Sequence, residues 1–204
     1  MPRHPIITKE LILQASLDLL IKQGYSAVTI KNIAKSLHCS TQPISWHFGC
    51  MNGLRESLLD YVLQYVKEKY PIPLTNPFFP FYLTGKAHID MALKTPNLFR
   101  FLYMGESGMQ FNTKYPNATY SAPQVAEFLG ISIPKAIEFI QTMLFYTQGA
   151  SSMIVTHTIN ETPDSIFESF DRISVKLLVS YGIPLETALE LIKTPANLSS
   201  NAPT

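Results

Sequence analysis

The sequence predicts an all-α fold, with an N-terminal three-helix helix-turn-helix domain followed by a C-terminal helical bundle. Three observations predict it. Apolar residues recur at helical spacing along most of the 204 residues, whereas strand-like alternation is scarce. Short capped helices separated by turn signals crowd the first fifty residues, and longer apolar stretches follow a cluster of prolines. Hydrophobic residues make up 46% of the chain and charged ones only 15%, which leaves apolar surface for a partner subunit or a ligand.

The first helix is placed over 8–23. Its residues Ile12, Ala15, Ser16, Leu19 and Leu20 form one stripe, and Gly24 is a C-terminal stop. Thr29 N-caps a second helix whose inner face is Ile30, Ile33, Ala34 and Leu37. His38 occupies the turn position that needs a positive φ, where glycine is usual and histidine is among the few substitutes. Ser40 caps a third helix, with Cys39, Ile44 and Phe48 directed into the small core. A fourth helix starts near Asn52 and carries Leu54, Leu58, Tyr61, Val62 and Tyr65 on its apolar face. Pro71, Pro73, Pro77 and Pro80 then break the helix and mark a candidate domain boundary. Further helices are placed near 81–95, 97–105, 122–129, 134–158, 163–181 and 185–193. The helix-turn-helix domain is assigned to 1–53, a helical ligand-binding and dimerisation domain to 54–195, and a disordered tail to 196–204.

Two short helices crossing at a tight turn, the second opening on small polar side chains, suit insertion into the major groove of DNA. An ordinary helical hairpin carries the same pattern. Charge leans toward the first reading: Arg3, Lys9, Lys22, Lys31 and Lys35 face only Glu10 and Asp18 within the first fifty residues, although the whole chain is +1. The two cysteines, Cys39 and Cys50, and the absence of a signal-like N-terminus place the chain in the cytoplasm without disulfides. The uncharged stretch 139–156 contains too many Gln, Ser and Thr residues to span a bilayer, so no membrane partner is expected. No phosphate loop, nucleophile elbow or metal-ligand spacing is present, so no catalytic residue, metal or cofactor is expected.

The segment resembles the DNA-binding domain of the tetracycline-repressor (TetR) family. The residues that carry this likeness are Ile12, Ala15 and Leu19 before Gly24, then Thr29-Ile-Lys-Asn-Ile-Ala, Ser40, Ile44, Trp46-His47-Phe48 and Leu54. The resemblance covers about a quarter of the chain and implies that residues 40–47 form the recognition helix. By that resemblance Thr41, Gln42 and Pro43 reach base edges, where glutamine pairs bidentately with adenine and apolar groups touch thymine methyls. Trp46 and His47 then lie along the backbone, while Thr29, Lys31 and the Ser45 position contact phosphates. Ser45 and Met51 depart from the family habit of tyrosine and lysine, which lowers the sequence-independent part of binding.

The partners implied are an operator in double-stranded DNA, a small-molecule effector and a second copy of the chain. Gly149 and Met153 on one helix, with Ile166, Phe170, Ile173 and Leu177 on the next, are the candidate homodimer seam. The same spacing also suits two helices packed within one chain. Ten of the 23 aromatics fall within 71–120, and with Met91, Met104 and Met109 they suggest either core or a pocket for an apolar or aromatic ligand. Candidate ligand residues are Tyr82, His88, Phe99, Tyr103, Phe111, Gln141 and Tyr146. The function expected is a ligand-responsive transcriptional regulator, a repressor released by its effector. Its rival is a helical ligand-binding or interaction protein with a weakened DNA head.

Overall fold

The computed structural model of the chain describes residues 7–71, 78–106 and 121–193. Among the described residues there are ten α-helices, one 3-10 turn and no strand. Helices α1 (Lys9–Gln23), α2 (Ile30–Ser36), α3 (Gln42–Phe48) and α4 (Met51–Lys69) precede the proline cluster. After it come α5 (Phe78–Lys94), α6 (Pro96–Tyr103), α7 (Ala122–Leu129), α8 (Ile133–Val155), α9 (Pro163–Ser180) and α10 (Leu185–Ile192). Helix α5 begins three residues earlier than the sequence suggests. Pro80 falls in its first turn, where a missing N–H breaks no helical bond.

Packing divides the described residues into two units, one within 1–71 and 94–111 and the other within 72–93 and 112–204. The first unit is built on α1. Thr8 caps it by accepting from Leu11 N–H at 3.2 Å, and Gly24 ends it with φ of 86°. Its inward stripe includes Ile12, Leu17 and Leu20, and the buried Ser16 hydroxyl donates to the Ile12 carbonyl at 2.7 Å. Ile33, Ala34, Ile44, Leu54 and Leu58 complete this core. Helix α6 also lies against α1: Asn97 Nδ2 donates to the Ile21 carbonyl at 3.1 Å, and the Tyr25 and Phe101 rings are 4.9 Å apart. The unit therefore continues past residue 53 and takes in α4 and α6, unlike the division at 53/54 expected from the sequence.

In the second unit, α5 and α7–α10 surround an aromatic core of Phe78, Tyr82, Phe139 and Phe170 with Ile140, Met143 and Leu178. Helix α8 buries one stripe, from Ala136 through Phe139, Ile140, Met143, Thr147 and Ser151 to Val155. Its other side leaves Phe145 74% and Met153 43% exposed, so within one chain it is not covered all round. Helix α9 is opened by Thr162, whose hydroxyl accepts from Ser165 N–H at 3.2 Å, and buries Ile166, Phe170, Ser174 and Leu178. No single described helix is long and apolar enough to cross a membrane. The pair α7 and α8 reaches that length only together, and it is bent by 111° at the break.

Candidate nucleic-acid interface and effector region

The turn between α2 and α3 is fixed by backbone bonds that the sequence foreshadows. His38 adopts φ of 52°, its N–H donates to the Lys35 carbonyl at 3.2 Å, and Cys39 N–H donates to the Ala34 carbonyl at 3.0 Å. That paired bonding closes α2 with a left-handed residue and swings the chain into α3. Thr29 caps the start of α2 by accepting from Asn32 N–H at 3.1 Å, and Asn32 Nδ2 donates to the Ala27 carbonyl at 2.9 Å. The Thr29 hydroxyl is thus committed to the helix, while Lys31 stands exposed beside it.

Helix α3 is Gln42–Phe48, preceded by Thr41 rather than by Ser40. No side chain caps it, and Thr41 has helical φ and ψ of −73° and −14° rather than the extended backbone from which Thr8, Thr29 and Thr162 cap their helices. Ile44 is fully buried and Phe48 half-buried, so the opposite side of this short helix turns outward. Thr41, Gln42 and Ser45 are exposed there, Pro43 is half-buried, and Trp46 is 79% exposed. An indole in open solvent has no role in the core of its own unit. His47 is half-buried and its Nε2 lies 2.9 Å from the Ile7 carbonyl, which ties α3 to the chain entering α1. Its ring meets Trp46 edge-on at 4.6 Å. Thr41, Gln42, Ser45 and Trp46 are therefore the exposed side chains of this segment, and His47 has a structural bond as well.

The expected ligand residues are divided between the two units. Phe99 and Tyr103 belong to α6 in the first unit, where Phe99 is fully buried and the two rings pack at 5.2 Å. In that unit α6 lies against α1. Tyr82, His88, Gln141 and Tyr146 belong to the second unit. Gln141 is exposed on α8, and Tyr146 is half-buried against Phe170 at 6.3 Å between ring centres. His88 donates through its Nδ1–H to the Thr84 carbonyl at 2.8 Å, and burial lowers its pKa against the opposing effect of that bond. Phe111 lies outside the described residues, as does the tail 196–204.

Tyr82 is the ligand candidate with the most developed surroundings. Its ring is 1% exposed between Phe78 and Phe170, and its hydroxyl donates to Asp171. Lys86, one turn along α5, approaches the same carboxylate at 2.9 Å and sits 5.0 Å from the Tyr82 ring centre. Burial, followed by the Asp171 carboxylate, raises the phenol far above its ordinary range, so it stays a neutral donor. Sequence reasoning missed Asp171 and Lys86. Their signal is only a lysine four residues after an aromatic, a spacing too common to single out.

The proposed dimer seam is likewise divided. Ile166 and Phe170 are buried in the core of their own unit, and Ile173 and Leu177 are half-buried against it. These residues answer to internal packing. Gly149 and Met153 are exposed on the outer side of α8, one turn and two turns beyond Phe145, and a Cβ on Gly149 would meet no atom within 4 Å. Both cysteines are free, and no group of three His, Cys, Asp or Glu side chains among the described residues is placed to hold a metal ion.

Residues 12–58 match the model of the family described as bacterial regulatory proteins, tetR family. No curated protein sequence matches the chain. Among solved structures, the crystal structure of a TetR variant from Acinetobacter baumannii AYE in complex with minocycline is similar in fold. It matches with a TM-score of 0.52 and 16% identity, over 86% of this chain and 96% of that one.

Proposed function

We propose, from the match of residues 12–58 to the tetR family of bacterial regulatory proteins, that this chain is a ligand-responsive, DNA-binding transcriptional regulator that works as a cytoplasmic homodimer. The observation that carries the reading is the outward side of α3, where Thr41, Gln42, Ser45 and the 79% exposed Trp46 stand over a helix anchored by Ile44. Gln42 reads an adenine edge, Thr41 and Pro43 border a thymine methyl, and Trp46, His47, Ser45, Thr29 and Lys31 face the sugar–phosphate backbone. One such helix reads few bases, so two copies engage half-sites about 34–36 Å apart, one turn of DNA. Phe145, Gly149 and Met153 form the outer strip of α8 offered to the second copy.

Regulation follows from competition between two ligands for one dimer. DNA favours the separation of α3 helices that matches its repeat. A small apolar or aromatic effector held by the second unit favours another, and the coupling between them is typically about 1–3 kcal/mol. The sense of the effect is repression relieved by the effector. A different reading is favoured by Ser45 and Met51: neither offers the phosphate grip of tyrosine or lysine, which suits a ligand-binding or interaction protein with a weakened head.

Titration of the chain against its own upstream DNA and against random DNA, at two salt concentrations, decides between them. A regulator binds the upstream DNA more tightly at both, and Gln42→Ala lowers that preference by about 1–3 kcal/mol while leaving random DNA unchanged. Equal binding to both DNAs leaves only the second reading.

A further inference from the structure

In the second unit, α5, α9 and α10 border an open cavity of about 740 Å³, within the range of small-molecule sites. Its apolar lining is Leu189 and Ile192. Its charged lining is two ammonium groups, Lys86 and Lys193, and three carboxylates, Asp171, Glu186 and Glu190. Four of these five charges are already engaged with one another. Lys86 pairs with Asp171 at 2.9 Å, and the buried Tyr82 hydroxyl donates to that same carboxylate. Lys193 pairs with Glu190. Among the described residues Glu186 has no such partner, and it shares the lining with the two aliphatic side chains.

We propose that this cavity binds an amphipathic organic cation, one positive charge on an apolar body. The excess charge of the lining is a single negative one, and an anion would meet two ammonium groups whose charge is already neutralised. A neutral ligand would gain the aliphatic contacts only. The ammonium of the ligand pairs with Glu186 while its apolar body covers Leu189 and Ile192. Asp171 stays engaged by Tyr82 and Lys86. The inference rests on the effector-binding role proposed above only for its regulatory meaning, since binding itself is read without DNA.

Isothermal titration calorimetry of the full-length chain at pH 7, with hexylammonium, hexanoate and 1-hexanol as probes, tests it. Hexylammonium is expected to saturate one site per chain, with hexanoate and hexanol at least tenfold weaker. Glu186→Gln is expected to bring hexylammonium down to the level of hexanol, and Leu189→Asn to weaken both. Glu127→Gln, an exposed carboxylate outside the cavity, serves as the control and leaves the titration unchanged. Hexanoate binding as tightly as hexylammonium, or Glu186→Gln leaving the affinity intact, overturns the proposal. The DNA titration fails independently of this one, so loss of the regulator reading and loss of the cation site are told apart.

Discussion

The head spends its polar residues on turns and on an outer surface, while the C-terminal unit buries Phe78, Tyr82, Phe139 and Phe170 in its own interior. In the head, Thr29 closes a cap, His38 closes a turn, and Gln42 and Trp46 are left outside because Ile44 and Phe48 point in. In the second unit, Tyr82 and Phe170 read from the sequence as ligand and seam residues, and both are 1% exposed. Local bonding that fixes a short motif also fixes which residues face outward. An aromatic on a long helix has no such local rule, and its neighbours in space decide where it goes.

The largest effect that can break this contrast is Phe170→Ala. Its ring meets Tyr82 at 5.3 Å and Tyr146 at 6.3 Å, and losing a buried phenylalanine costs about 3–5 kcal/mol. Chemical denaturation should show that loss in dilute protein. A residue acting mainly at a seam would instead change the dimer's dissociation and spare the isolated chain.

Gly85→Ala comes next. A Cβ there would stand 2.6 Å from Phe170 Cζ, inside a core that cannot yield, so a loss of about 1–3 kcal/mol outweighs the gain in helix propensity. Tyr82 supplies a pH test. Its pKa is raised above the ordinary 10.0 of tyrosine, so its contribution is complete below pH 10 and falls as pH rises beyond it. Unfolding free energies from urea titrations across that range should drop by up to about 1.4 kcal/mol per pH unit from this group. A Tyr82→Phe variant should lack that part of the slope.

Thr29→Ala removes the cap of α2 and should cost the head about 1 kcal/mol, read as a lower melting temperature of the full chain. The smallest effect sharpens the contrast within one unit. Gly149→Ala meets open space, so it should stabilise the dilute chain by about 0.5–1 kcal/mol, opposite in sign to Gly85→Ala. Weaker self-association of the same variant in sedimentation would place Gly149 at the seam.

The helical class, the turn at His38, the cap at Thr29 and the outward set on α3 are all written in short stretches of sequence. Each depends on residues within a few positions of one another, where hydrogen bonding and sterics leave few choices. Long-range packing was needed to join α6 to α1 and to turn Ile166 and Phe170 inward. It also brought Lys86 and Tyr82 to Asp171, 85 and 89 positions away along the chain. Helical periodicity names an apolar side without naming what covers it, and that choice is made by packing across distant segments. The head was legible because its chemistry is local. The surroundings of Tyr82 were not, because Asp171 and Phe170 reach it from a different helix.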